Sequence, residues 1–300
     1  MKETMNTTRH GEDVSKRYKK KSQFGEVWHR LKRNKAAMIG LFIAVLLILM
    51  AASSSFIYDY ETQVINRDVA NRLQWPSWEH PFGTDESGRD ILARVVYGSR
   101  FSLSIGFATV AFALVVGGTL GAISGYFGGM LDNIIMRIMD IFLAIPGTLF
   151  AITLVAALGQ KTINLVIALA ISSVPGFARI LRSSVLSVRD VEFVEAARAI
   201  GATNTRIILQ HVIPNSLAPV IVQTTLNVAT AILTIAGLSF LGLGVKAPQP
   251  EWGALLSSGR TYLADQSYIT LFPGLAIMIT ILALNLLGDG LRDALDPRLK

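Results

Sequence analysis

Long apolar runs dominate this chain from Ala36 onward, with polar segments between them. The run 36–57 carries no charge, and its length matches the roughly 20 residues that a helix needs to cross a bilayer. Five further spans are predicted in the runs that follow: 101–131, 132–160, 162–178, 215–245 and 267–288. The pattern therefore predicts an all-α integral membrane protein with about six transmembrane helices.

The polar segments divide the chain into five predicted parts. Near the N-terminus, Phe24, Val27, Trp28 and Leu31 follow the i, i+3, i+4, i+7 pattern of a helix that lies in the membrane interface. The parts are, in order, a basic tail with this interfacial helix at 1–35, a first transmembrane helix at 36–57, a polar segment at 58–100, a five-helix core at 101–290 that contains a polar loop at 182–214, and a C-terminal tail at 291–300.

Basic residues are concentrated on one side of the predicted membrane. The first 35 residues hold 11 of the 28 Lys and Arg residues and 4 of the 21 Asp and Glu residues, which places the whole net charge of +7 in the tail. With six spans, 20 basic residues fall on the side of both termini and the loop 182–214, and 8 fall on the other side. Because the richer side is cytoplasmic, the termini and this loop are predicted to be cytoplasmic and 58–100 extracytoplasmic. The tail is expected to contact lipid and not nucleic acid.

The composition excludes several classes of site. The chain is 51% hydrophobic and has no cysteine, which rules out disulfides, thiol catalysis and Cys-ligated metals. No P-loop is present, and the four histidines share no ligand spacing, so neither ATP hydrolysis by this chain nor a cofactor or metal site is expected. Asp85, Glu86 and Asp90 form an acidic run without the ligand order of a calcium loop, and a helix cap at Thr84 or Asp85 is favoured.

Small residues inside the spans indicate how the helices pack. Glycine recurs every four residues at Gly117, Gly121, Gly125 and Gly129, and such a stripe lets helix backbones approach closely in lipid. Pro146, which is followed by another glycine, predicts a kink in the third span.

Polar residues inside the spans have two interpretations each. Arg137 and Asp140 are three residues apart and predict an intramembrane ion pair that fixes helix packing, while a charge on the substrate path is the alternative. Gln223 and Asn227 are predicted to hydrogen-bond a neighbouring helix or to face a polar path.

The loop 182–214 has the pattern of two short helices joined by a glycine. Gly201 is placed to end the first helix with a positive φ, and Thr203 or Asn204 can cap a second helix that runs to Pro214. Apolar residues at helical spacing predict one apolar face on the first helix: Val191, Val194, Ala197 and Ile200. Such an element beside a membrane is suited to dock in a groove of a partner.

The same loop resembles the EAA loop of ABC-importer permeases. Glu195-Ala196-Ala197, then Gly201, then Ile213-Pro214 follow that family's spacing of E-A-A, three residues, G, nine residues and I-x-L-P, although His211 replaces the usual Ile and Ile213 the Leu. In that family the loop is a coupling helix that sits in a cleft of the ATPase subunit. The resemblance implies these ATPase-coupling residues: Glu192, Glu195, Ala196, Ala197, Arg198, Gly201, Ala202 and Pro214.

Three further segments resemble the dipeptide, oligopeptide and nickel branch of the same family. They are His80–Arg100, Ala247–Arg260 and the C-terminal LGDGLRDALDPRLK, which is similar to the C-type transmembrane subunit. The resemblance implies a permease subunit of an ATP-driven di- or oligopeptide importer in a bacterial or archaeal plasma membrane. The implied partners are a second permease subunit in a heterodimer, two ATP-binding subunits and an extracytoplasmic peptide-binding protein. Substrate-contacting residues are not indicated.

The sequence leaves three alternatives open. A nickel-chelate importer of the same family would carry the same motifs. An ion-coupled secondary transporter would need isolated intramembrane carboxylates or inverted repeats, and only Asp140 is a candidate for the first. An intramembrane enzyme would need a motif such as H-E-x-x-H, which the sequence lacks. Co-purification with an ATPase subunit discriminates the permease from the last two.

Overall fold

The computed structural model describes residues 23–296. The basic tail ahead of residue 23, the Phe24 side chain and the last four residues lie outside this described part. Its helices are α1 (Gln23–Arg33), α2 (Lys35–Ile57), α3 (Ile91–Phe127), α4 (Gly129–Leu143), α5 (Gly147–Leu158), α6 (Thr162–Val188), α7 (Glu192–Ala199), α8 (Asn204–Ile207), α9 (Ile213–Phe240), α10 (Trp252–Gly259) and α11 (Tyr268–Leu295). A wide π-helical turn, Ile208–Val212, joins α8 to α9, and a second one lies at Tyr60–Val64. Short 3₁₀ turns lie at Val69–Asn71 and Arg260–Tyr262.

Five stretches of helix are long and apolar enough to cross a membrane: α2, α3, α6, the run from α8 through α9, and α11. Helices α4 and α5 together pass as a sixth span, although they meet at a bend of 83°. The prediction of an all-α membrane protein with about six spans is confirmed. The kink predicted at Pro146 is a complete break between Leu143 and Gly147, since proline has no N–H to continue the helical ladder.

Glycine brings α3 into close contact with α6. On both helices the contacts recur every four residues, and a Cβ on each glycine would overlap or crowd a carbonyl oxygen of α6: Gly117 and Val174, Gly121 and Ala178, Gly125 and Arg182. The predicted role of this stripe in packing is therefore confirmed for three glycines. The fourth, Gly129, instead opens α4 with a φ of +59°, after a turn at Gly128.

Helix α3 begins ten residues before the predicted span, and so shortens the polar segment predicted at 58–100. Asp90 caps it by accepting the Ala93 N–H at 2.8 Å. The cap predicted at Thr84 or Asp85 is wrong, because no helix begins there. The buried Asp85 carboxylate accepts from the backbone N–H groups of Ser87 and Arg89 in its own turn and from Arg89 Nε at 2.7 Å. Arg94, in the first turn of α3, lies 3.6 Å from the same carboxylate and is also buried. The Asp85 carboxylate therefore compensates the charge of two buried arginines at this end of the bundle.

The polar segments 58–90 and 246–267 form one layer at this end of the bundle. Glu251 is buried and caps α10 by accepting two backbone N–H groups at 2.8 Å each. The fully buried Trp252 donates its indole N–H to the Val95 carbonyl at 2.9 Å. The Tyr268 hydroxyl donates to the Thr84 carbonyl at 3.2 Å, which joins the start of α11 to the first polar segment.

The two ends of the described chain meet at the opposite end of the bundle. Leu31 of the predicted interfacial helix is 4% exposed and packs in one cluster with Ala37 and Ala294. Arg30 Nη1 donates to the Asp296 carbonyl at 3.3 Å. Helix α1 is therefore anchored on the last turn of α11.

Candidate functional site: the loop between α6 and α9

Helix α7 ends in the geometry predicted from Gly201. This residue has a φ of +83°, and its N–H donates to the Arg198 carbonyl at 3.0 Å. The N–H of Ala202 donates to the Ala197 carbonyl at 3.1 Å. The two bonds form a Schellman motif, which satisfies the carbonyls at the end of a helix. A Cβ at Gly201 would meet no atom of the described residues 23–296 within 4 Å, so the positive φ alone favours glycine here.

One face of α7 is anchored in the bundle. Val194 is fully buried and Ala197 is 6% exposed. Both belong to a cluster with side chains from α3, α6 and α9, among them Tyr126, Val185 and Val220. The apolar face predicted on α7 is thus confirmed at its two central positions.

Outside this anchored face, α7 and its end residues present apolar side chains that are at least 40% exposed in the described chain. Val191 and Ile200, predicted to extend the inner face, are 40% and 86% exposed, because they cap a two-turn helix whose middle alone touches the bundle. Phe193 is 42% exposed beside them, and Ala196 is exposed as well. We call Phe193, Ala196 and Ile200, which lie on one side of α7, the outer patch. Glutamates border it, and an apolar patch with a charged rim is typical of a protein interface.

The second helix of the loop is longer than predicted. Thr203 caps α8 as expected, with its hydroxyl oxygen 3.4 Å from the Arg206 N–H. The helix does not end at Pro214, however, and continues through the π-helical turn into α9. The Asn215 amide donates to the His211 carbonyl at 2.6 Å, and the Ser216 hydroxyl donates to the carbonyl one residue further on at 2.8 Å. These side chains and the wide turn satisfy backbone groups next to a proline, so the chain remains helical.

Two polar contacts tie the loop to the end of α3. Arg189 Nη1 donates to the Gly125 carbonyl at 2.8 Å. The Tyr126 hydroxyl donates to Asn204 Oδ1 at 2.9 Å. Both ends of the α7 segment are therefore held on one helix of the bundle.

Two ion pairs join α4 to α6, and neither is the pair predicted. Asp132 binds Arg182 through two bonds of 2.6 Å, and Asp140 binds Arg179 at 2.5 Å. The predicted pairing of Arg137 with Asp140 is wrong. Arg137 lies on the exposed side of α4, whereas Asp140 faces α6, where an arginine is within reach.

The structure brings most of the implied ATPase-coupling residues onto one surface. Exposed are Glu192, Glu195, Ala196, Arg198 and Gly201, while Ala202 is half-buried, Ala197 is buried and Pro214 lies apart at the start of α9. The family motif does not include Phe193 or Ile200. Their positions three residues before and four residues after Ala196 place them on the same side of a helix as that alanine, and this spacing could have identified them. No group of three or more His, Asp or Glu side chains in residues 23–296 is placed to hold a metal ion.

Two family models match the chain. Residues 117–300 match the binding-protein-dependent transport system inner membrane component, and residues 22–76 match the N-terminal TM domain of oligopeptide transport permease C.

Known proteins resemble the chain over almost its whole length. A dipeptide transport system permease protein of Alkalihalophilus pseudofirmus is 50% identical over 93% of this chain and 91% of the relative. A glutathione transport system permease protein of Pectobacterium atrosepticum is 43% identical, over 92% and 91% of the two chains. A di/tripeptide transport system permease protein of Pseudomonas aeruginosa is 42% identical, over 93% of each.

A solved structure shares the fold. A chain of the MetNI methionine ABC transporter in inward-facing conformations has a TM-score of 0.55 at 19% identity, covering 69% of this chain and 98% of that chain. At this identity the likeness concerns the fold alone.

Proposed function

Because the chain belongs to the family of binding-protein-dependent transport system inner membrane components, it is a multi-pass permease subunit and not an ATPase, and we propose that it serves an importer of dipeptides or oligopeptides. The names of the relatives support this substrate class. Two are dipeptide or di/tripeptide permeases, and the third carries glutathione, itself a short peptide. These names favour a peptide over the nickel chelate.

The proposed energy source is a pair of separate ATP-binding subunits that dock on α7. The outer patch supports this role, because it places apolar side chains and a glutamate rim on a helix whose other face is anchored. A second permease subunit completes the proposed translocation path, and an extracytoplasmic peptide-binding protein delivers the substrate.

In the proposed cycle, ATP closes the two ATPase subunits, and each α7 moves with the cleft that holds it. Val194 is packed among α3, α6 and α9, and Arg189 holds the Gly125 carbonyl at the end of α3. A displacement of α7 therefore acts on several helices at once, as alternating access requires.

The proposed orientation places both termini and the α7 loop in the cytoplasm and the segments 58–90 and 246–267 outside. The basic bias of 20 to 8 supports it. The packing agrees, since α1 contacts the last turn of α11 at one end, and at the far end Tyr268, which directly follows the second polar segment, bonds to Thr84 of the first.

The observation that carries the proposal is the outer patch, and substitution there tests it. We expect Phe193→Ser together with Ile200→Ser to lower co-purification of the ATPase subunit about tenfold or more, because central apolar contacts dominate interface energy. Uptake of a labelled dipeptide by cells carrying the whole transporter falls with it. Phe56→Ser is the matched control, since Phe56 is 92% exposed at the far end of α2. Full co-purification and normal uptake in the double variant would exclude α7 as the docking element.

A further inference from the structure

The exposed face of α11 carries a row of side chains whose chemistry suits contact with lipid. Leu271, Leu275, Met278 and Leu282 follow the spacing i, i+4, i+7, i+11, and each is between 37% and 55% exposed. All four side chains are apolar, as contact with hydrocarbon requires.

Helix α9 carries a row of the same spacing with the opposite chemistry. Gln223, Asn227, Thr230 and Thr234 are half-buried or exposed. The Gln223 amide donates to Asn227 at 3.4 Å, and both threonine hydroxyls donate to carbonyls of their own helix. Asn227 and Thr230 stand 13 and 10 residues before the end of α9, so they lie about 20 and 15 Å inside it. The amide groups of Gln223 and Asn227 that their mutual bond does not use are costly against lipid at such a depth, whereas the threonine hydroxyls are satisfied within the helix.

Helix α6, which packs against α9, carries a third row with this spacing. It consists of Ser172, which is half-buried, and of Gly176, Arg179 and Ser183, which are exposed. A Cβ at Gly176 would meet nothing within 4 Å, so no helix of the described chain covers that glycine. At its outer end the row is covered by α5, whose Gly147 lies against Ser172. The row thus opens beside the break between α4 and α5.

An ion pair stands on this open row. Arg179 and Asp140 are 2.5 Å apart, with 53% and 45% of their side chains exposed. The side chains of the neighbouring pair, Asp132 and Arg182, are less exposed, at 12% and 33%. Charged side chains in membrane helices face a water-filled cavity or a partner, because exposure to lipid is expensive. The open pair therefore has room for a charged ligand that the closed pair lacks.

We propose that the polar rows of α6 and α9 line a water-filled translocation path and that the Asp140–Arg179 pair binds the two charged termini of a passing peptide. Arg179 meets the terminal carboxylate with its planar N–H groups, and Asp140 accepts from the terminal ammonium. A zwitterionic ligand replaces each partner's charge as it separates them, so neither charge is left uncompensated. The assignment of termini rests on the proposed peptide substrate, whereas the watery path does not depend on the docking of α7.

Thiol labelling tests the path, and the chain contains no native cysteine. Single cysteines at Gly176, Thr230 and Met278 are placed in the assembled transporter in membrane vesicles and treated with a small charged methanethiosulfonate. Because the reactive thiolate forms in water, the first two should react about tenfold faster than the lipid-facing control at Met278. Equal rates would overturn the path. So would fast reaction in the isolated subunit that disappears on assembly, since the rows would then form a subunit interface.

The ligand assignment has its own test. We expect the double variant Asp140→Asn with Arg179→Gln to assemble with its partners and keep its thermal stability in detergent. Its uptake of a zwitterionic dipeptide should fall about tenfold, through the loss of charge-assisted hydrogen bonds. The single variants should be at least as impaired. Recovery of uptake in the double variant would show that the pair only holds α4 to α6. Failure of the parent chain to co-purify with an ATPase would instead count against the proposed function.

Discussion

Gly201 combines a conformation that favours glycine with a Cα that faces open space. Its φ is +83°, and within the part of the chain that the structure describes no atom would touch an added Cβ. The left-handed conformation costs other residues roughly 1–2 kcal/mol. We therefore expect Gly201→Leu to insert normally but to loosen the end of α7 and abolish transport. The measurement is ATPase co-purification together with peptide-stimulated ATP hydrolysis by the purified complex.

Asparagine supplies the matched control at this position. It adopts the left-handed conformation more readily than leucine, so Gly201→Asn should retain most of the binding. If the leucine variant keeps both ATPase binding and stimulated hydrolysis, α7 is not the coupling helix. If asparagine fails as badly as leucine, the space beside Gly201 is filled by the partner, and size, not φ, sets the requirement.

Packing of α3 on α6 depends on backbone contact and not on side-chain fit. A Cβ at Gly121 would overlap Ala178, whereas the nearest atom to a Cβ at Gly118 is a Leu181 methyl at 3.5 Å. We expect Gly121→Leu to force the helices apart at a cost of about 1–3 kcal/mol or more and to lower the level of folded protein. Gly118→Ala should be close to neutral. Detergent thermostability and membrane level compare the two, and equal behaviour would contradict the packing role of the stripe.

The sequence predicts the helices better than their ends, and α3 shows why. Its uncharged run begins at residue 101, but the helix starts at Ile91 after the cap at Asp90, and Asp85 neutralises Arg89 and Arg94 beside that start. Such a pairing depends on the path of a loop, which hydrophobic periodicity does not report. For the same reason the sequence predicted the wrong partner for Asp140, which pairs with Arg179 on another helix.

Helix α7 and its loop show a second limit of sequence patterns. Gly201 and the cap at Thr203 were predictable, since both follow from backbone chemistry local to a few residues. The apolar row on α7 was visible too, but its division between Val194 inside and Ile200 outside was not. That division depends on how much of a two-turn helix the bundle covers. The sequence predicted that the second helix of the loop ends at Pro214, but a π-helical turn just before this proline leads directly into α9.

The whole molecule has two different ends joined by the bundle. One carries the layer of polar segments around the buried Trp252, and the other carries the α7 loop and the contact of α1 with α11. The rows of α6 and α9 run between these ends. In the proposed function, the polar layer would meet a binding protein, the α7 loop would meet an ATPase, and the rows of α6 and α9 would connect the two ends.

The orientation of these two ends is tested by labelling single cysteines in intact cells, because the chain itself contributes no background thiol. Ser77 and Thr203 are both exposed, the first in the polar layer and the second in the α7 loop. The basic bias of 20 to 8 predicts that the loop is cytoplasmic. An impermeant maleimide should therefore label Ser77→Cys and leave Thr203→Cys unmodified, and opening the membrane with detergent should make both react. Labelling of Thr203→Cys but not Ser77→Cys in intact cells would invert the topology, and the α7 loop would then lie on the side of the membrane where no ATP is available to a coupled ATPase.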